Sequence, residues 1–193
     1  MADIQVFISV SLDGVMQAPA RPDEDTRGGF SRGDWATKYA DPAMWEGMGR
    51  AGSLLFGRRT YEDFYGVWPK RSDNPFTPVL NASQKYVVST TLEEPLPWEN
   101  STLLRGDAVD AVAELKAKLD QDLMILGSGY LVRSLMGSDL IDGYTLLIHP
   151  LVLGTGQRLF ADGGPPEDLE LAGSNSTGTG VVIATYRSAK SRP

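Results

Sequence analysis

Ser53-Leu-Leu-Phe-Gly-Arg-Arg-Thr-Tyr-Glu62 is the stretch that decides how this chain is read. Ser53 to Phe56 has the composition of a short buried strand, and it ends on Gly57. Arg58, Arg59 and Thr60 then open a helix that continues through Tyr61, Glu62, Asp63 and Phe64. A strand that passes through a glycine into a helix leaves backbone N–H groups without partners, and such groups suit a phosphate. Two guanidinium forks beside the turn add charge and planar donors for phosphate oxygens. Taken alone, the segment reads equally well as an anion site or as a plain turn with two solvated arginines.

Working outward, Ile4-Gln-Val-Phe-Ile-Ser-Val-Ser11 is a first strand, closed by the turn Leu12-Asp13-Gly14. Residues Gln17 to Asp34 mix prolines, glycines and charges without periodicity and read as a long loop, of the kind that forms lids or binding loops. Asp41-Pro42 is an N-cap followed by a proline at the first helical position, and Met44, Trp45, Met48 and Ala51 give that helix one apolar face. Tyr65 to Pro78 reads as a proline-rich connection that holds Trp68. Strands are expected over Lys85–Thr90, Thr102–Arg105, Asp122–Gly127 and Leu140–Ile148, with helices over Asp107–Leu119 and Ser128–Met136. Leu169–Ala172 and Val181–Tyr186 form a closing hairpin. Helices and strands alternate through roughly residue 140, and strands dominate afterwards. The fold class is therefore α/β, a mostly parallel central sheet with an antiparallel C-terminal edge.

Length and composition narrow the function. A chain of 193 residues favours one domain across 1–193, and 41% hydrophobic residues are enough for an ordinary core. A formal charge of −7 argues against a nucleic-acid surface. With no cysteine and one histidine, His149, neither thiolate chemistry nor a conventional zinc site is expected, and no metal is assigned. No G-x-S-x-G elbow supplies a hydrolase nucleophile. The apolar runs fall short of a membrane span and the N-terminus enters a strand directly, so the expected location is the cytoplasm.

A second strand runs into a glycine turn at Leu123-Met-Ile-Leu-Gly-Ser-Gly129. Open parallel sheets bind ligands beyond the carboxyl ends of their strands, so two such turns can hold the two ends of a dinucleotide. The third glycine and the downstream acid of a Rossmann fingerprint are both missing, which disfavours that domain.

Together these residues resemble the dihydrofolate reductase superfamily. Leu55-Phe-Gly-Arg-Arg-Thr-Tyr-Glu62 looks like its adenine-side motif, Tyr86-Val-Val-Ser89 its next strand, and Met124-Ile-Leu-Gly-Ser-Gly-Tyr130 its pyrophosphate turn. Ser11-Leu-Asp-Gly14, with Ile148-His-Pro-Leu-Val-Leu-Gly-Thr-Gly-Gln-Arg-Leu-Phe160, is closer to one branch of that superfamily. This is the reductase domain of the bifunctional riboflavin-biosynthesis deaminase–reductase, with its stand-alone relatives. The resemblance spans Ile4 to Arg187 and implies a dihydrofolate-reductase-like three-layer fold, NADPH as cofactor and hydride transfer. It implies that Gly57, Arg58, Arg59, Thr60 and Ser89 hold the 2′-phosphate and pyrophosphate. It implies too that Gly127, Ser128, Gly129, Tyr130 and Leu131 face the pyrophosphate and nicotinamide. Family members can join two glycines at this turn through a cis peptide; Ser128 replaces the second glycine here.

Two carboxylates are candidates for catalysis. Asp41 stands at the spacing the resemblance requires for a substrate-orienting acid, and Asp41-Pro42 is also an N-cap signature, the stronger of the two readings. Asp13 borders the nicotinamide in similar segments, and it is equally a turn residue before Gly14. Trp35 and Trp68, in loops, are candidates to stack on a planar substrate, whereas Trp45 belongs to a core-facing helix stripe. Arg21, Arg27 and Arg32 lie in the long loop, either solvated or meeting a phosphate; His149 reads as structural. The expected activity is an NADPH-dependent reduction of a nitrogen heterocycle or ribosylamino-pyrimidine. A non-catalytic NADPH sensor and a true dihydrofolate reductase remain alternatives, and a homodimer is expected from the resemblance. No zinc-deaminase motif accompanies the reductase half.

Overall fold

In a computed structural model describing residues 2–46, 52–74 and 76–189, eight strands join into one sheet. They are β1 (Ile4–Ser11), β2 (Ser53–Gly57), β3 (Gln84–Val88), β4 (Ser101–Leu104), β5 (Leu123–Leu126), β6 (Gly143–His149), β7 (Leu169–Ser176) and β8 (Val182–Ser188). Their order across the sheet is β4-β3-β2-β5-β1-β6-β8-β7. Every pairing from β4 to β6 is parallel, and β8 pairs antiparallel with both β6 and β7. The expected parallel sheet with an antiparallel C-terminal edge is what the chain forms. No helix among the described residues is long and apolar enough to cross a membrane.

The three layers follow from the alternation of side chains along each strand. Ile4, Val6, Ile8 and Val10 of β1, with Leu55, Leu123 and Ile125, bury one face against Val112, Leu115, Leu131, Val132 and Leu135. Those last residues come from α3 (Ala108–Lys118) and α4 (Gly129–Leu135). The opposite face carries Phe7, Leu54, Phe56, Val87 and Leu126 against Tyr61 and Leu80, which belong to α1 (Arg58–Val67) and α2 (Phe76–Ala82). Asp107 caps α3, its carboxylate accepting from the Val109 and Asp110 N–H groups at 2.8 and 3.2 Å.

Helix α2 lies partly inside the stretch read from sequence as a bare connection. Its Pro78 is the third residue, in the first turn, where a missing N–H costs nothing. Asn74 Oδ1 accepts the Phe76 N–H at 2.9 Å and so satisfies one open donor. At the other end Lys85, fully buried on β3, donates from Nζ to the carbonyls of Leu80, Asn81 and Ser83 at 2.8, 3.1 and 2.6 Å. The helix expected from Asp41 onward forms a 3₁₀ turn over Pro42–Trp45; Met48 and Ala51 lie outside the described residues.

The loop from Gln17 to Asp34 is tethered. Phe30 and Trp35 join Val15, Ala18 and Leu153 in a small separate core, and Trp35 Nε1 donates to the Gln17 carbonyl at 2.7 Å. Gly156 closes this packing: a side chain there would meet Val15 at 2.7 Å and Phe30 at 2.8 Å. Arg21 forms an ion pair with Asp63 of α1 that ties the loop across to the second layer.

Candidate functional site

Parallel pairing brings the carboxyl ends of β3, β2, β5 and β1 side by side, and Asp13, Gly57, Ser89 and Gly127 to Gly129 follow those strand ends, whereas Trp68 lies beyond the far end of α1. Gly57 pairs with Val88, so Ser89 lies one residue beyond the partner of the Gly57 turn. β5 adjoins β2 on the other side and delivers Gly127, Ser128 and Gly129.

The two glycine turns are bonded to each other. The Gly57 N–H donates to Ser128 Oγ at 3.0 Å. A side chain at Gly127 would touch the Thr60 methyl at 3.6 Å, and one at Gly57 would touch Leu131 at 3.5 Å. Gly127 and Ser128 both occupy the left-handed region, at φ 61° and 53°, and the peptide between them is trans. For serine that conformation costs about 1 kcal/mol. The Met16 thioether packs directly over Gly129, in the space a Cβ there would take. The sequence reading did not single out Met16.

Helix α1 starts on Gly57 without a side-chain cap, which leaves its first-turn N–H groups open. Arg58 pairs with Glu62 along the helix at 2.9 Å. Arg59 is exposed, and among the described residues no carboxylate pairs with it. Its guanidinium carbon lies 5.8 Å from the Tyr130 ring centre. Ser89 is buried, and its Oγ accepts from the N–H groups of Thr91 and Leu92 at 3.1 and 3.0 Å. Tyr130 is 48% exposed, whereas the Leu131 side chain is buried in the core, so only its main chain reaches the turn.

The two candidate acids are both spent on loop architecture. Asp13 Oδ1 accepts from Ser11 Oγ at 2.7 Å and from the Leu153 N–H at 3.0 Å, while Oδ2 accepts from the Gly154 N–H at 2.8 Å. The Ser11 hydrogen bond, with help from the Leu153 and Gly154 amides, outweighs burial and draws the Asp13 carboxyl down to about 2. Its carboxylate holds the loop after β6 through the Leu153 and Gly154 amides. Asp41 Oδ1 caps its own 3₁₀ turn through the Ala43 N–H at 2.9 Å, and Oδ2 accepts from the Gly178 N–H at 3.1 Å. The capping role is realised, and the second oxygen ties the turn to the β7–β8 connection.

Trp35 corrects the expectation of a stacking platform. It is 5% exposed, its N–H is engaged, and its ring meets His149 edge-on at 5.2 Å. Trp68 is half-buried after α1, against Phe64 at 6.0 Å and the Arg71 guanidinium at 5.3 Å, in a different cluster from Trp35. His149 is fully buried and Nδ1 donates to the Leu147 carbonyl at 2.9 Å. Burial lowers its pKa, and among the described residues Nε2 has no hydrogen-bond partner. It is a neutral structural histidine.

A model of the RibD C-terminal domain matches residues 2–183. The chain belongs to the RibD C-terminal domain family. Within that family setting, the "Uncharacterized protein YyaP" of Bacillus subtilis (strain 168) is 25% identical over 185 residues, covering 93% of this chain and 91% of that one. A putative riboflavin biosynthesis protein from Shewanella sp. PV-4 superposes with a TM-score of 0.73 at 27% identity, over 98% of this chain and all of that one. A dihydrofolate reductase from Enterococcus faecalis, complexed with NADP(H) and RAB-propyl, has a TM-score of 0.61 at 12% identity and covers 97% of each chain. That last likeness establishes the dihydrofolate-reductase-like fold.

Proposed function

We propose that this RibD C-terminal domain protein is an NADPH-dependent reductase acting on a nitrogen heterocycle or a ribosylamino-pyrimidine-like compound, the chemistry of riboflavin biosynthesis. The observation that carries the reading is the bond from Gly57 to Ser128, which makes one continuous wall from the carboxyl ends of β2 and β5. The residues fit a phosphorylated dinucleotide. Among the described residues Arg59 is a cation without a carboxylate, the first turn of α1 has open donors, and the Ser89 hydroxyl stands beside Thr91 Oγ1 at 3.4 Å. Gly57, Arg58, Arg59, Thr60 and Ser89 would hold the phosphates at the adenosine end. Gly127, Ser128, Gly129 and Tyr130, with the Leu131 main chain, would hold the rest. NADPH, when bound, supplies the hydride. The protein's part is to orient it, with Met16 over Gly129 as an apolar wall at that turn. Asp13 and Asp41 act as positioning residues, and Trp68 is the remaining aromatic for a planar substrate. The expected form is a cytoplasmic homodimer.

Calorimetric titration with NADPH and NADH, on the native protein and on Arg58→Ala and Arg59→Ala, tests this. NADPH should bind more tightly than NADH, and the substitutions should erase the difference. A preference that survives both would remove the phosphate assignment. A second reading, a non-catalytic NADPH sensor, is favoured by the engagement of both carboxylates in backbone hydrogen bonds. Oxidation of NADPH with aminopyrimidine or pterin acceptors separates the two, since a sensor binds without turnover; a true dihydrofolate reductase would turn over dihydrofolate.

A further inference from the structure

Three arginines from three separate elements converge on one exposed ring. The guanidinium carbons of Arg133, Arg27 and Arg59 lie 4.4, 4.6 and 5.8 Å from the centre of Tyr130. Arg133 comes from α4, Arg59 from α1, and Arg27 from the long loop after β1. Like charges gathered this closely repel one another, and a ring face returns only about 0.5–1 kcal/mol per cation at an exposed site. Carboxylates among the described residues cover little of the charge. Arg27 pairs with Asp25, with Nε at 2.6 Å from Oδ1. Arg133 meets the neutral amide oxygen of Gln157, at 3.4 Å from both terminal nitrogens, and no carboxylate among the described residues pairs with it. Three guanidinium groups against one carboxylate leave an excess of two positive charges, in a chain whose net charge is −7. A dianionic phosphoryl group matches that excess in charge and in hydrogen-bonding geometry.

The loop is held where it can serve this cluster. Gln17 Nε2 donates to the carbonyls of Asp25 and Arg27 at 3.1 and 3.0 Å, and Gln17 Oε1 accepts from the Gln157 N–H at 2.9 Å. The same Gln157 carries the side-chain contact to Arg133. Loop, helix and the segment after β6 are therefore braced around the arginines. The cations also lower the pKa of the Tyr130 hydroxyl, chiefly through the hydrogen bond from Arg27.

We propose that Arg27 and Arg133 form, with Arg59 and Tyr130, a phosphoryl seat through which the loop after β1 grips the bound dinucleotide. The assignment rests on the NADPH reading above, and it makes the loop part of the cofactor site.

The test is calorimetry with NADPH and, separately, ribose 5-phosphate, on the native chain, Arg27→Ala, Arg133→Ala and the two lysine replacements at the same positions. Each alanine variant should weaken NADPH binding about 10-fold, with lysine restoring part of the loss. Arg133→Ala leaves the loop sequence intact, so a loss there is not a consequence of loop disorder. Unchanged NADPH affinity in both alanine variants, with weakened binding in Arg59→Ala, overturns the seat while leaving the cofactor reading in place. Loss of ribose 5-phosphate binding alone assigns the seat to a substrate phosphate and overturns it as a cofactor contact. If native protein binds no NADPH, the reductase reading fails. The dinucleotide assignment falls with it, and titration with inorganic pyrophosphate, on native protein and Arg133→Ala, then shows whether the arginines hold the phosphoryl group of another ligand.

Discussion

Replacing Ser128 separates two effects that the fold superimposes on one residue. Ser128 Oγ accepts the Gly57 N–H at 3.0 Å, and the Ser128 backbone sits at φ 53°. Ser128→Ala removes the acceptor and keeps the backbone cost. The half-buried Gly57 N–H then loses its partner, for about 1–2 kcal/mol of stability. Ser128→Gly removes the same acceptor but relieves about 1 kcal/mol of left-handed strain. Part of that relief is offset by the greater freedom of glycine in the unfolded chain. The glycine variant should therefore be closer to the native protein than the alanine variant, by about 0.5–1 kcal/mol. Urea unfolding followed by tryptophan fluorescence measures both differences from the midpoints if the slopes agree. NADPH titration of the same two proteins should show weaker binding in both, because each frees the β2 turn from the β5 turn. An alanine variant as stable as native, or a glycine variant less stable than alanine, would refute the account of this junction.

Further outcomes follow from three polar side chains that the fold engages. Lys85→Met strips the donor from three carbonyls at the end of α2. Release from burying an ammonium offsets part of that loss, leaving a net destabilisation of about 2 kcal/mol in urea unfolding. Burial draws the Lys85 pKa down from 10.5 to about 8, so the folded chain gives up this proton before the unfolded one does. Stability relative to Lys85→Met should accordingly rise as pH increases from 8 towards 10.5. For Asp13 the slope has the same sign in an acid window, but here it is the charged form that the fold favours: its carboxyl falls from 3.8 to about 2, so its contribution is full above pH 4 and is lost as pH falls through 2. That shift corresponds to about 1–2 kcal/mol after allowance for partial exposure, and Asp13→Asn should match the native protein's stability only at the acid end of a pH series. Trp35→Phe keeps the ring in its small core and removes the donor to the Gln17 carbonyl, so the loop from 17 to 34 should be cut faster by trypsin at unchanged global stability to within about 1–2 kcal/mol.

Much of the fold was legible because its signals are local. The run Ile4–Ser11, the apolar spacing of α3 and the glycines ending β2 and β5 each announce an element within a few residues. The order of these elements then suggested the sheet. Helix α2 escaped because its first turn holds a proline and its far end depends on Lys85, a residue that reads as part of a strand. Lysine is almost never fully buried, so nothing in the local pattern marks it as a helix cap. Trp35 escaped for the complementary reason. A tryptophan in a loop reads as available, and only the distant partners Leu153 and Gly156 show that the loop has a core of its own.

The candidate site divides along the same line. Turn residues could be named from sequence because a glycine or arginine at a strand end has a meaning set by its neighbours. The acids could not be assigned, because the role of a carboxylate depends on which amides reach it. For Asp13 these belong to Leu153 and Gly154, and for Asp41 one belongs to Gly178. Each pair is separated by well over a hundred residues, yet each joins the loop leaving one strand to the connection beside another. Both carboxylates thus fix loops at the carboxyl edge of the sheet, and among the described residues the arginines that converge on Tyr130 keep an excess of positive charge. An edge whose acids are consumed by backbone amides and whose cations are left open is arranged to receive an anion. That asymmetry favours a phosphorylated ligand independently of any likeness to other proteins.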